Sequence, residues 1–182
     1  MLYTVECSYN DPESEEAWNE FYSLEKLPSL VSVTGFSTSQ RFRALKPGCP
    51  VYLAIHTVND AKVITSDEYR LKGGGNFSLW QANITDWHRN LYECEYPAPA
   101  VSSEEILLFS SQPISFIETE LGYRALEMQA SGLDKFPERR VAYILERENG
   151  VQVARAILDA YLYEPLTSQL QNSVKANQRR KP

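Results

Sequence analysis

Leu2–Ser8 alternates apolar and polar side chains, the pattern of a strand with one buried face. Asn10-Asp11-Pro12-Glu13 then opens a helix. Asn10 or Asp11 can cap it, Pro12 suits the first turn, and the acidic residues complement the helix dipole. Trp18, Phe21, Tyr22 and Leu24–Leu27 recur at helical spacing and give that helix an apolar stripe, which Pro28 is expected to end or kink. Gly35 marks a turn into a strand over Phe36–Arg43. Lys46-Pro47-Gly48 reads as a hairpin-like connection, and Val51–Val58 is the clearest strand of the chain. Asn59-Asp60 can cap a second helix that fades at Gly73-Gly74-Gly75, and a closing strand follows over Ile84–Glu93.

That order is β-α-β-β-α-β, the ferredoxin-like arrangement. After Tyr96-Pro97-Ala98-Pro99-Ala100 the order recurs in shortened form. Strands are expected over Glu105–Ser110, Tyr123–Ala130, Val141–Glu146 and Tyr161–Glu164, with an abridged helix or loop over Ile114–Leu121 and a helix over Val151–Leu158. The tripeptide Leu-Tyr-Glu closes both halves, at Leu91–Glu93 and Leu162–Glu164. A repeat on this scale predicts an α+β chain of tandem ferredoxin-like repeats, residues 1–96 and a degenerate 101–170, forming an α/β barrel around a cavity. Residues 171–182, polar and basic, read as a flexible tail.

The chain has 182 residues, 43% hydrophobic and 12% aromatic, which is enough to bury a sizeable core. Its net charge of −6 argues against a nucleic-acid partner. No apolar run is long enough to cross a bilayer, so no membrane partner is expected. The N-terminus lacks the basic and apolar regions of a signal peptide. Three cysteines without a CxxC pair fit a reducing cytoplasm and no structural metal.

Candidate chemistry rests on two histidines, both on expected strands. Alternation over Val51–Val58 puts Val51, Leu53 and Ile55 on one face and Tyr52, Ala54 and His56 on the other. The apolar face suits helices, so His56 is expected to face the barrel interior. In the closing strand Asp86, His88, Asn90 and Tyr92 share a face opposite Trp87, Arg89 and Leu91, whose bulk suits the helix side. The expected catalytic set is His56 as general base, His88 as its partner or a substrate anchor, and Asp86 orienting an imidazole. Tyr52, Tyr92 and Trp80 are the expected substrate contacts, the tyrosines on a substrate oxygen and Trp80 as an aromatic wall. Each also has a plain structural reading as a packed strand or core residue. Cys7 reads as core, the glycine run as a loop or lid hinge, and Arg41, Arg43, Arg139 and Arg140 as surface charges or anchors for an acidic substrate.

Three stretches, Ala17-Trp18-Asn19-Glu20-Phe21-Tyr22, Glu25-Lys26-Leu27-Pro28-Ser29-Leu30 and Val33-Thr34-Gly35-Phe36, resemble the EthD-like group of dimeric α/β-barrel proteins. That group shows a helix ending in Trp-Tyr, a Glu-His-Ile-Pro segment and a Pro-Gly-Phe turn. Tyr52-Leu53-Ala54-Ile55 and Trp87-His88-Arg89-Asn90-Leu91-Tyr92 look like its third and fourth strands. The match covers the first half well and the second half through the repeat. One departure is Lys26, which stands where the group commonly has histidine. The resemblance implies small enzymes and accessory proteins of aromatic degradation and polyketide tailoring, many without metal or organic cofactor, and it implies homodimers. The leading expectation is therefore a cofactor-independent oxygenase or proton-transfer isomerase acting on a small aromatic such as an oxidised indole, a phenol or a polyketide-like compound. A non-catalytic ligand-binding or accessory protein, favoured by Lys26, and an assembly module are the alternatives.

Overall fold

The computed structural model describes residues 1–173. Strands β1 (Leu2–Tyr9), β2 (Phe36–Ala44), β3 (Tyr52–Val58) and β4 (Ile84–Glu93) come from the first half. Strands β5 (Glu105–Ser110), β6 (Leu126–Leu133), β7 (Arg139–Glu146) and β8 (Tyr161–Pro165) come from the second. All neighbours are antiparallel, in the order β3-β1-β4-β6-β7-β5-β8-β2, and a β2–β3 pairing closes an eight-stranded barrel within one chain. In both halves the first strand lies between the third and fourth, and the second strand flanks the third.

Alternation in a closed sheet sends side chains either into the barrel or out against the helices. Tyr3, Val5, Cys7 and Tyr9 of β1 and Tyr52, Ala54 and Val58 of β3 point outward. They pack with Trp18 of α1 (Glu15–Phe21) and Leu27 and Leu30 of α2 (Leu27–Val31). A second outer cluster joins Ile106, Leu108, Tyr143 and Leu145 to Ile117 of α4 (Ser115–Thr119) and Val153 of α5 (Arg147–Ala156). The interior holds Leu2, Phe42, Leu53, Ile55, Tyr92, Leu107, Phe109, Met128, Ala142 and Tyr163.

Several elements differ from the sequence expectation. Pro28 does not end its helix. A π-helical turn over Tyr22–Lys26 joins α1 to α2, and Pro28 falls in the first turn of α2, where a missing N–H is tolerated. The helix expected after Asn59-Asp60 is broken into a 3-10 turn, Ala61–Thr65, and a short α3, Asp67–Leu71. Asp60 and Ser66 each accept a backbone N–H two or three residues on and so start separate turns. A two-residue strand β9, Leu170–Gln171, extends the sheet from β2 and reaches into the expected tail. From residue 174 onward that tail lies outside the described residues.

Inside the barrel, Arg140 of β7 donates from Nη2 to Glu6 Oε1 of β1 at 2.9 Å, and both side chains are 4% exposed. Removing one partner of a sealed ion pair leaves an uncompensated charge and typically costs about 3–5 kcal/mol. Glu6→Gln and Arg140→Met should each lose stability on that scale in urea unfolding, while Glu6→Leu with Arg140→Met should recover most of it. Singles as stable as wild type would show that the pair is not sealed from water.

Candidate functional site

The barrel interior is divided along its axis. Towards one end lies a cavity of about 210 Å³, walled by Phe42, Ile55, Leu107, Phe109, Met128 and Ala142. Leu2 and Ala142 border it, while the next inward residues on their strands, Thr4 and Arg140, do not. A polar layer therefore begins one strand step, roughly 7 Å, below the apolar one. It contains Thr4, Glu6, Arg140, Tyr92 and Tyr163. The two tyrosines are the middle residues of the repeated Leu-Tyr-Glu tripeptide.

The linker between the halves covers the cavity. Gln40 donates from Nε2 to the Val101 and Thr167 carbonyls, both at 2.8 Å, and accepts from the Val101 N–H at 3.1 Å. The Ala98 N–H donates to Thr57 Oγ1 at 3.0 Å, and Gln169 donates to the Ala98 carbonyl at 2.8 Å. Arg124, exposed at the rim, donates to the Tyr96 hydroxyl at 2.8 Å and lies over its ring. The Pro-Ala-Pro segment thus connects the halves and forms part of the cavity wall.

Electrostatics in the polar layer favour the ion pair. Burial works against the Arg140 charge, but the Glu6 carboxylate and the Tyr92 and Tyr163 oxygens outweigh it and hold the guanidinium above its ordinary pKa. Burial pushes Tyr92 up to about 12 and Tyr163 well above the usual phenol range. Tyr92 donates to the Pro137 carbonyl at 3.0 Å.

The residues expected from sequence are not gathered in this cavity. His56 points outward, into the layer beneath α2, which corrects the facing expected for β3. Its ring stacks on Tyr3 at 5.5 Å and meets Phe36 edge-on at 5.2 Å. Nδ1 pairs with Ser39 Oγ at 2.6 Å, and complete burial, aided by Lys26, lowers its pKa to about 3. A neutral imidazole without solvent or cavity contact is a packing group. Tyr52 is turned the same way, donating to Glu15 at 2.6 Å and accepting from Asn19 at 2.8 Å. Trp80 packs against Phe21 on the outside of the barrel, at 6.1 Å between rings. The parity expected for β4 holds, with Trp87 and Leu91 on the helix side and Tyr92 inside. His88 has the inward parity but lies where the barrel opens, 54% exposed, with Asp134 as its partner at 3.9 Å. Asp86 is exposed at a bulge opposite β1, with φ of 49°, a conformation aspartate tolerates.

Glu6, Arg140, Tyr163 and Thr4 were not read from sequence as a group. Glu6 and Thr4 lie on the polar face of an amphipathic strand, and such a face reads as solvent-facing until the sheet is known to close. The signal that was available is the repeat, whose two tyrosines meet at Arg140. Among the described residues no three His, Cys, Asp or Glu side chains cluster to hold a metal, and no helix is long and apolar enough to cross a membrane.

Comparison with known proteins bears on the fold. No family profile and no curated protein matches the chain. Its structure is similar to an anthrone oxidase-like protein, with a TM-score of 0.52 and 10% identity over 94% of this chain and 93% of that one. It is also similar to a protein from Lactobacillus acidophilus described as "putative monooxygenase", with a TM-score of 0.55 and 8% identity over 94% and 96%. A protein of the same description from Fusobacterium nucleatum gives 0.56 and 6% over 92% and 93%. These barrels share a fold with this chain over nearly their whole length.

Lys26, in the π-helical turn, is 5% exposed. Its Nζ donates to the Gly73 carbonyl and to the Asn76 carbonyl at 2.6 Å, and lies 4.1 Å from the centre of the Phe77 ring. The glycine run is therefore pinned to the helix layer by a cation. Burial lowers the Lys26 pKa from 10.5 to about 8. Between those values the unfolded chain binds more protons than the folded one, so stability rises with pH through that window. Lys26→Met should lack this rise, at most about 3 kcal/mol, when urea unfolding at pH 7.5 and pH 10 is compared with wild type. Parallel pH profiles for the two proteins would refute it.

Proposed function

We propose that the chain is a small-molecule enzyme of oxygenase type, which takes a small aromatic compound into the barrel and works without a metal or organic cofactor. In this reading it is an EthD-like α/β barrel built from tandem ferredoxin-like repeats, the two halves sharing one strand order. The observation that carries the proposal is the covered apolar cavity inside the closed sheet. A dry cavity of about 150 Å³ accepts benzene, so about 210 Å³ suits one or two fused rings. The names of the similar barrels point the same way.

The chemistry such a site supports is limited by its walls. Converting an activated ring CH2 to a carbonyl with dioxygen balances without an external reductant. One oxygen atom becomes the carbonyl, and the other leaves as water with the two hydrogens. The first step removes a proton, and none of the residues bordering the cavity is His, Cys, Asp or Glu. The substrate must then be acidic by its own structure, with the C–H flanked by a ring and a carbonyl. That same observation favours a second reading, a non-catalytic binder of the same compounds.

Thermal-shift screening with bicyclic aromatics tests the shared part. A ligand at a hundred times its Kd adds about 2.7 kcal/mol, which for a chain of this size raises Tm by roughly 5–10 °C. Ala142→Leu, which narrows the cavity, should abolish the shift in a folded protein. Oxygen uptake and product formation with an activated ring CH2 compound, in air and without added cofactor, then separate enzyme from binder. No shift with any bicyclic aromatic would overturn both readings.

A further inference from the structure

We propose that the barrel selects a ligand whose apolar ring body ends in an uncharged carbonyl oxygen, received by Thr4, Arg140 and Tyr163. The inference rests on the reading that the cavity is the binding site, and it names what that site recognises. Among the described residues five buried side-chain atoms lack a hydrogen-bond partner: Trp18 Nε1 and His56 Nε2 in the helix layer, and Thr4 Oγ1, Arg140 Nη1 and the Tyr163 hydroxyl inside the barrel. The last three side chains face the barrel interior from β1, β7 and β8, with exposures of 0%, 3% and 0%. Arg140 and Tyr163 each lie in the electrostatic reach of the other and of Glu6. Thr4 is two residues from Glu6 on the same inward face. Buried polar groups are nearly always paired, so three unspent donors in one layer mark hydrogen-bonding capacity kept for something else.

Their position relative to the cavity completes the case. Phe109 lines the cavity and carries the Arg140 guanidinium on its ring at 4.9 Å, so the apolar wall and the polar layer share a residue. Met128, which also lines the cavity, is the cross-strand neighbour of Arg140. Thr4 is likewise the cross-strand neighbour of Ile55 and Tyr163 that of Leu107, so each donor stands beside a residue that lines the cavity. The three groups offer hydrogens, which calls for an acceptor. The Arg140 charge is already matched by Glu6 at 2.9 Å, so an anion would add a second negative charge against one cation, and a neutral carbonyl is the acceptor that fits. The Cys49 thiol donates to the Lys46 carbonyl at 3.9 Å, and its sulfur is a weak acceptor beside the Tyr163 hydroxyl, which a carbonyl oxygen would displace.

Isothermal titration calorimetry with tetralin, 1-tetralone and tetralin-1-carboxylate tests the proposal on the intact chain. Wild type should bind the ketone at least about tenfold more tightly than the hydrocarbon, and the carboxylate more weakly than the ketone. Thr4→Val and Tyr163→Phe keep side-chain shape and remove an orphan hydroxyl. Each alone should narrow the preference, and together they should bring ketone and hydrocarbon within about twofold by weakening the ketone. Circular dichroism melting confirms that each variant folds, and either single variant suffices if the double does not. Equal binding of ketone and hydrocarbon, or a preference that survives the variants because water occupies the donors, overturns the proposal and leaves the cavity reading standing. Tightest binding of the carboxylate overturns the uncharged acceptor. If none of the three compounds binds, the cavity reading fails and the proposal with it.

Discussion

A closed sheet has an inside that water does not reach, and here that inside holds a carboxylate and a guanidinium. The rest of the interior follows from this. Glu6 and Arg140 lie 134 residues apart, one from each half, so the charges can be neutralised only when both halves have closed on one another. Both side chains are 4% exposed, and Phe42, Phe109, Met128 and Ala142 wall the cavity beside them. A small barrel has to be filled by side chains, and the covered cavity marks the place where the filling is incomplete.

The helix layer solves a similar problem by other means. Arg41 is 1% exposed, yet its guanidinium bonds Asn19 and Ser23 and lies 4.0 Å from the centre of the Tyr22 ring. Lys26 meets backbone carbonyls and Phe77 in the same way. Aromatic faces and amide oxygens stand in for carboxylates around both cations. Trp18 is the hub of this layer, stacked on Tyr9 at 4.7 Å and edge-on to Tyr52 at 4.9 Å. The aromatic run around Trp18 is thus a packing device, and Lys26 is a structural cation within it.

Much of the strand order was legible because strands announce themselves by alternation. Which face turns inward was legible for β4, where Trp87 and Leu91 are too bulky for the barrel, and misread for β3. There the apolar set Leu53 and Ile55 was assigned to the helices, when a small barrel needs those side chains inside and the outer layer is aromatic. That one-residue parity is what removed His56 from the cavity. Pro28 reads as a helix end or kink because a π turn, which carries the chain past it here, has no simple sequence mark. The charged pair was invisible for a further reason. Glu6 and Arg140 each look like solvent-facing residues of an amphipathic strand, and only tertiary closure makes them neighbours.

The two segments that leave the last strands of the two halves, residues 97–101 and 166–169, converge over the same opening and are tied by Gln40, Thr57 and Gln169. On the proposed reading of the cavity as a binding site, a guest leaving beneath them would have to break these ties. Its residence time would then carry the cost of an opening event of the chain itself. Compounds that differ widely in affinity would share one ceiling on how fast they leave by that route.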